Sequence, residues 1–437
     1  MDIQYYNGTD WNTLNEYNNI DVGNVTSWEV YLPIAVGTNN YRVQLRAYAG
    51  SVTSPNATQT FTITTSMPPK FLAGDSPSLT EQTGPNYGFY DITLTFDQAV
   101  YSVNDGTGAL ATSDFAVYAP TSGGDASSKV VITAVSHTAG SQTATITLRF
   151  NDRVTSSDKF RIGPANATSI YSGVIAPSST GIPMDVSLQT TKGGQYSADI
   201  TCPDASVLNT TDNIAFETIQ KAVDAGTTAA GYTIQLKDNT TYSENVTVNK
   251  AVTITDQGVT NATVTGTWTL GGSSDVDLSG NTITVSGLTF NNSNVTNSIV
   301  VANVYNGTVS IEGNTFYLNA SKNAISVQSN RGTGALTALN IGTSAQNTFS
   351  GAFTGANAIY FNDDGTGSNG ITAVSVQQNS FPTSNALAIA FENVDLTSYL
   401  PPINLGSGNN NSDGMLIPEK YVFSHSDLNT SNYLYPG

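Results

Sequence analysis

The chain has 437 residues, only 11% of them charged, and its 33 acidic against 15 basic side chains give a net charge of −18. This balance excludes nucleic acid as a partner, because no basic stripe exists to displace phosphate counterions, and argues equally against docking on anionic lipid. No apolar run is long enough for direct membrane insertion, and the single cysteine, Cys202, excludes an intramolecular disulfide framework or a structural zinc site of several cysteines.

The length leaves room for two or three domains. Thr and Val suit pleated, half-buried surfaces, while Asn, Asp and Gly suit the turns between them, so the fold class predicted is all-β. Such a weakly charged, β-rich composition is ordinary for an extracellular or cell-surface protein. The opening MDIQYYNGTDWN lacks the charged and apolar regions of a secretory leader.

Residues 1–66 form the first predicted module. Strand-like stretches occur at Ile3–Tyr6, Thr26–Leu32, Tyr41–Ala49 and Thr60–Thr64, and NYRVQLRAYAGSVTSPNATQTFTI alternates, turns and alternates again. That stretch resembles the last two strands of an immunoglobulin-like or fibronectin type III domain. The resemblance implies a partial β-sandwich, since such a domain takes about 100 residues, and hence a chain cut from a longer one.

Ser66-Met67-Pro68-Pro69-Lys70 reads as a stiff linker. The second module, 71–187, carries alternating strands at Tyr90–Val100, Lys129–Val135 and Thr143–Val154, separated by Gly, Ser and Asp. Its phrases LTFDQAV and LRFNDRV resemble bacterial immunoglobulin-like surface modules, which implies a second β-sandwich. Nothing in it points to chemistry.

The third region, 195–437, opens with a predicted short helix over Phe216–Val223, capped by Asp212 or Asn213. After Gly231 comes YTIQLKDNTTYSENVTVNKAVTITDQG, strand and turn throughout. Helix, Gly and YTIQL…VTVNKAVTI closely resemble the opening of pectate-lyase-like proteins. The resemblance implies a right-handed, single-stranded parallel β-helix whose short N-terminal helix covers the open end of the first coil.

Repeats of irregular period follow. One strand recurs as VTITDQG at Val252, ITVSGLTF at Ile283, VSIEGNTF at Val309, LNIGTSAQNTF at Leu339 and VSVQQNSF at Val374, with INLGSGNN at Ile403 as a sixth candidate. A second recurs as NSIVV at Asn297, NAISV at Asn323, NAIYF at Asn357 and NALAI at Asn385. If each repeat is one coil, like residues stack about 4.8 Å apart. Phe290, Phe316, Phe349 and Phe381 then form an aromatic stack, and Ile299, Ile325, Ile359 and Leu387 an aliphatic one. Asn314, Asn347 and Asn379, each two residues before a Phe, form a ladder at a turn.

Function has to come from a site. Pectate-lyase-like proteins include polysaccharide lyases, glycoside hydrolases and phage tailspikes, but also adhesins and other non-catalytic surface proteins. The enzymes set carboxylates, with Arg, Lys or calcium, on the outward face of a strand stack. Here the outward positions are predicted to be Thr253, Thr284, Ser310, Asn340 and Ser375, then Thr255, Ser286, Glu312, Gly342 and Gln377, and on the second strand Val300, Ser326, Tyr360 and Ala388. One carboxylate, Glu312, leaves no pair for acid–base work.

Two constellations lie off that face. Asp363-Asp364-Gly365 falls opposite Ser329-Asn330-Arg331 of the preceding coil, so Asp363, Asp364 and Arg331 would carry catalysis if the chain were an enzyme; as a plain turn they would form an ion pair. Asp275, Asp277 and Ser279 open a D-x-D-x-S-G calcium-loop pattern, although Ser286 stands where the acidic twelfth residue belongs. Val276 and Leu278 would alternatively point inward and leave both Asp in water.

His137 and His425 are too isolated for a metal cluster, and Ser424-His425-Ser426-Asp427 cannot form a triad from sequence neighbours. Sequons such as those at Asn245, Asn294 and Asn306 are no more than this composition supplies. The chain is therefore expected to be a non-catalytic surface-layer, adhesin or exoprotein segment. It would bind polysaccharide or other cell-surface proteins, with no cofactor except calcium at the Asp275 turn. A carbohydrate-active enzyme and a trimeric phage tailspike are the alternatives.

Overall fold

The structure, a computed structural model, describes residues 2–6, 10–13, 37–45, 48–49, 52–53, 57–65, 68–72, 75–174, 180–184, 196–258, 262–291, 297–318, 323–328, 334–351, 357–362, 371–381, 389–392, 410–411 and 421–424. In the N-terminal stretch, Asp2–Tyr6 lies between Trp11–Thr13 and Gly37–Leu45, and Ala57–Thr65 pairs the far edge of Gly37–Leu45, all antiparallel. The predicted strand Thr26–Leu32 lies outside the described residues.

The Pro68-Pro69 segment is not a free linker. Pro69 is buried, Lys70 N donates to the Asp97 carboxylate at 3.1 Å, and the Phe71 ring stacks on Phe96 with centroids 5.0 Å apart. The sheet beyond it runs Val130–Ser136, Thr143–Phe150, Phe89–Thr95 and Thr80–Glu81, all antiparallel. Alternation sends Tyr90, Ile92, Leu94, Ala144, Ile146 and Leu148 into one core, shared with Phe160 and Ile162 of a second sheet. That second sheet takes a strand from beyond residue 187, since Ile200–Thr201 pairs with Asp158–Pro164.

From residue 233 onward the chain winds through three sheets of parallel strands, three strands to a coil. Sheet A stacks Thr233–Leu236, Thr253–Asp256, Thr282–Ser286, Thr308–Glu312, Ala338–Ile341 and Val374–Val376. Sheet B begins with Thr241–Ser243, Thr263–Thr265, Thr289–Asn291 and Thr315–Leu318. Sheet C begins with Val246–Val248, Trp268–Asp277, Asn297–Tyr305 and Asn323–Gln328. Stacked parallel strands of this kind are compatible with a β-helix.

The register is the predicted one over most of the stack. Ile283 lies under Val309, Val309 under Leu339, and Leu339 under Val374. Phe290, Phe316, Phe349 and Phe381 stack with centroids 5.0, 4.9 and 5.1 Å apart and planes within 12° of parallel. Trp268 ends the row edge-on, 5.4 Å from Phe290. One alignment is corrected: Ile359 pairs with Ile389, so NALAI is displaced by two residues and Ala390, not Ala388, stands opposite Tyr360. A shift of two keeps the same face, which is why alternation could not detect it. Leu387 and Ile403 lie outside the described residues.

The predicted asparagine ladder is present at the turn from sheet A to sheet B. Asn314, Asn347 and Asn379 are fully buried. Asn347 Nδ2 donates to Ile311 O at 2.8 Å and to Asn379 Oδ1 at 3.0 Å, while its Oδ1 accepts from Asn314 N at 2.9 Å. The carboxamides thus supply acceptors to Leu288 N and Asn314 N at the corner and second donors to the Ile311 and Ile341 carbonyls.

Two elements contact the first strands of the stack. An antiparallel hairpin, Val207–Asn209 with Ile214–Phe216, pairs onto Thr233–Leu236 and occupies the edge of sheet A. The helix α1 spans Ile219–Asp224, later than predicted, because Phe216 belongs to the hairpin. Its N-cap is Thr218, whose hydroxyl accepts from Lys221 N at 3.1 Å; Asn213 instead adopts φ 54° in the hairpin turn. Against sheet C, the Gln220 carboxamide accepts from Thr247 N at 2.6 Å and donates to Thr247 O at 3.3 Å, replacing a neighbouring strand at the edge. Glu244 completes the attachment by accepting from Ile219 N at 2.8 Å and Gln220 N at 3.0 Å.

Asn347→Ala leaves the buried Asn314 N–H without its acceptor and takes one of two donors from the Ile311 carbonyl, and is expected to cost about 2 kcal/mol in urea unfolding. A loss as small as that of Thr289→Ala on the outer face would show that the ladder is not stabilising.

Candidate functional site

The outward face of the stack is less open than alternation predicts. Ser310, Glu312, Val300 and Ser326 are buried. The cause at Glu312 is the turn after Ile341, which folds over it: Ser344 N and Ala345 N donate to Oε2 at 2.9 and 3.1 Å, and Ser310 Oγ to Oε1 at 2.9 Å. Gly342 makes that turn possible at φ 76°, where a Cβ would sit 2.3 Å from the Gln377 carbonyl oxygen. Both oxygens of this carboxylate are therefore committed to holding protein groups.

Arg331, Asp363 and Asp364 lie outside the described residues. The strands leading to them do keep the predicted register, with Gln328 paired to Asn362. At the calcium-like turn, Leu278 is buried and Val276 packs against the core, leaving Asp275 and Asp277 exposed. Asp277 Oδ1 accepts from Ser279 N at 2.7 Å and Asn306 Nδ2 at 2.9 Å. Among the described residues, no three His, Cys, Asp or Glu side chains gather as a metal site.

His137 ties backbone together. Its Nδ1 accepts from Leu110 N at 3.0 Å, its Nε2 lies 3.3 Å from Ser141 O, and burial holds its pKa below the ordinary value. His425 lies outside the described residues.

A cleft of about 440 Å³ opens between the antiparallel sheets and the residue pair leading into α1, Glu217-Thr218. Its walls include Glu81, Tyr90, Asp199, Cys202 and Glu217. Lys221 of α1 bridges the carboxylates of Glu81 and Glu217, the latter at 2.6 Å. Burial disfavours the Lys221 charge, yet the two carboxylates outweigh it and raise its pKa. Burial, reinforced by Glu217 and Glu81, holds the Tyr90 phenol protonated far above its usual range. Cys202 is pushed up to about 12, chiefly by burial. No sequence signal marked this cluster, because Glu81 and Lys221 are 140 positions apart.

Other contacts fix the same junction. One Arg149 nitrogen donates to the carbonyls of Asp212 and Asn213 at 2.7 and 2.6 Å, and Gly226 N donates to Pro85 O at 2.8 Å. Arg153 meets Asp238 at 3.2 Å. Burial would raise the Asp238 pKa, but bonds from Thr240 and Tyr242 and the charge of Arg153 reverse this and lower it. Asp199 behaves alike: burial opposes ionisation, while Thr121, Ser122 and Arg161 lower its pKa overall.

Two outcomes are expected from these groups. Lowered carboxylate pKa values contribute stability above the unfolded value of about 3.9, lost as pH falls through the folded values. The protection factors of the Thr121 and Thr240 amides, their exchange measured relative to the intrinsic rate at each pH, should therefore fall below about pH 4, and Asp238→Asn should remove that fall at Thr240 alone. Alkylation of Cys202 at pH 8 should be about 10³-fold slower in the native protein than in urea, from its thiolate fraction; similar rates would contradict its burial. No family model, no curated protein and no solved structure matches this chain.

Proposed function

We propose that the chain is a non-catalytic extracellular rod of a prokaryotic surface, a surface-layer, adhesin or exoprotein segment that engages polysaccharide through its stack of coils. In this reading the antiparallel modules are β-sandwich spacers. The stack is a right-handed, pectate-lyase-like β-helix, and α1 closes its first coil. The observation that carries the reading is the fate of Glu312. It is the one carboxylate predicted on the strand face, and it is buried under a turn with its oxygens accepting from Ser310, Ser344 and Ala345. Rigidity without disulfides suits such a rod, because each coil is bonded to the next along three sheets.

The pairing of Gln328 with Asn362 favours one second reading, a lyase or hydrolase built from Arg331, Asp363 and Asp364. A panel of uronic acid polymers with and without calcium decides between them. The rod reading expects no new reducing ends and no unsaturated product; turnover abolished by Arg331→Ala would replace it with the enzyme. A native mass corresponding to a stable trimer would instead support a tailspike.

A further inference from the structure

The outer face of sheet B carries two rows of polar side chains in register. Its first outward row is Thr241, Thr263, Thr289, Thr315, Thr348 and Ser380, each in direct register with the next. The second row is Ser243, Thr265, Asn291, Tyr317 and Ser350, with Thr265 Oγ1 donating to Ser243 Oγ at 3.0 Å across one coil step. No residue in either row is charged, although the chain carries a net charge of −18. Tyr317 is 49% exposed, one of few large apolar side chains left in water among the described residues, and its backbone neighbour Asn291 is exposed as well.

We propose that this face binds a neutral, ribbon-like polysaccharide of equatorially linked pyranoses, with Tyr317 as its stacking platform. The assignment rests on the surface-rod reading and deepens it by naming the sheet and the class of glycan. Three features select that occupant. Hydroxyl groups repeating at the coil spacing of about 4.8 Å offer donors and acceptors along a straight line, which suits an extended chain and not a globular partner. A flat sheet face accepts a flat sugar ribbon, and the amphipathic Tyr317 ring packs against the C–H face of a pyranose while its hydroxyl remains in water. A face without charge has nothing with which to neutralise a uronate or recruit a cation, so an acidic polymer gains nothing here while the negative chain repels it.

The test is calorimetric titration of the whole chain with the hexasaccharides of β-1,4-glucan, β-1,4-mannan and β-1,4-xylan, with oligogalacturonate as the charged counterpart. The expected result is saturable binding of at least one neutral hexasaccharide and none of oligogalacturonate. Tyr317→Ala should weaken it about tenfold, as loss of one aromatic contact implies. Tyr317→Phe should stay within about twofold, because the ring is retained. Exposed Tyr317 leaves folding intact, which unchanged thermal melting of both variants would verify. Absence of saturable neutral binding overturns the assignment, as does preference for oligogalacturonate. Neutral binding untouched by Tyr317→Ala also overturns it but leaves the rod as a glycan binder through another face. Tyr317-dependent binding accompanied by cleavage would support this face and overturn the non-catalytic reading.

Discussion

A coil can sit on its predecessor only if the turn between sheets A and B leaves no buried backbone group unpaired. Asn314, Asn347 and Asn379 meet that condition by turning each carboxamide into a link between successive turns. With the corner fixed, the phenylalanines two residues later are brought face to face, and the remaining strands inherit their register from them. The corner therefore determines both the packing of the core and the alignment of the polar residues outside it.

The same need for satisfied backbone explains the ends and the coverings. Sheet A begins on an antiparallel hairpin, while sheet C begins on the Gln220 carboxamide of a helix that Glu244 pins in place. Burial holds the Glu244 carboxyl above its ordinary pKa, although the two helix N–H groups pull it down. Glu312 plays a related part further up, supplying acceptors to a turn whose amides have no strand to pair with. Carboxylates in this protein repeatedly complete backbone that lacks neighbours.

These roles set how much could be read from sequence. Apolar alternation together with the Asn-x-Phe spacing located the coils and the stacks, because both depend on residues close together along the chain. The two-residue displacement at Ile389 escaped because positions 387 and 389 are both apolar in the sequence and alternation treats them alike. The helix start was placed too early because Phe216 and Ile219 fit a helical period as well as a strand followed by a helix. Glu312 was expected in water because its covering turn lies some 30 residues onward and has no pattern of its own. The cleft of Glu81, Tyr90, Cys202 and Glu217 was invisible for the same reason, being assembled from segments that meet only in three dimensions.

The hairpin Val207–Asn209 and Ile214–Phe216 belongs to two cores at once. Val207, Ile214 and Phe216 pack into the stack of coils, while Leu208 and Ala215 pack under the antiparallel sheets. A load pulling on either body therefore meets the same two short strands, and neither core can part from them without exposing apolar surface of the other. Tension applied along the chain would reach the first coil as shear through this common element, so the two bodies should yield in one mechanical event instead of two.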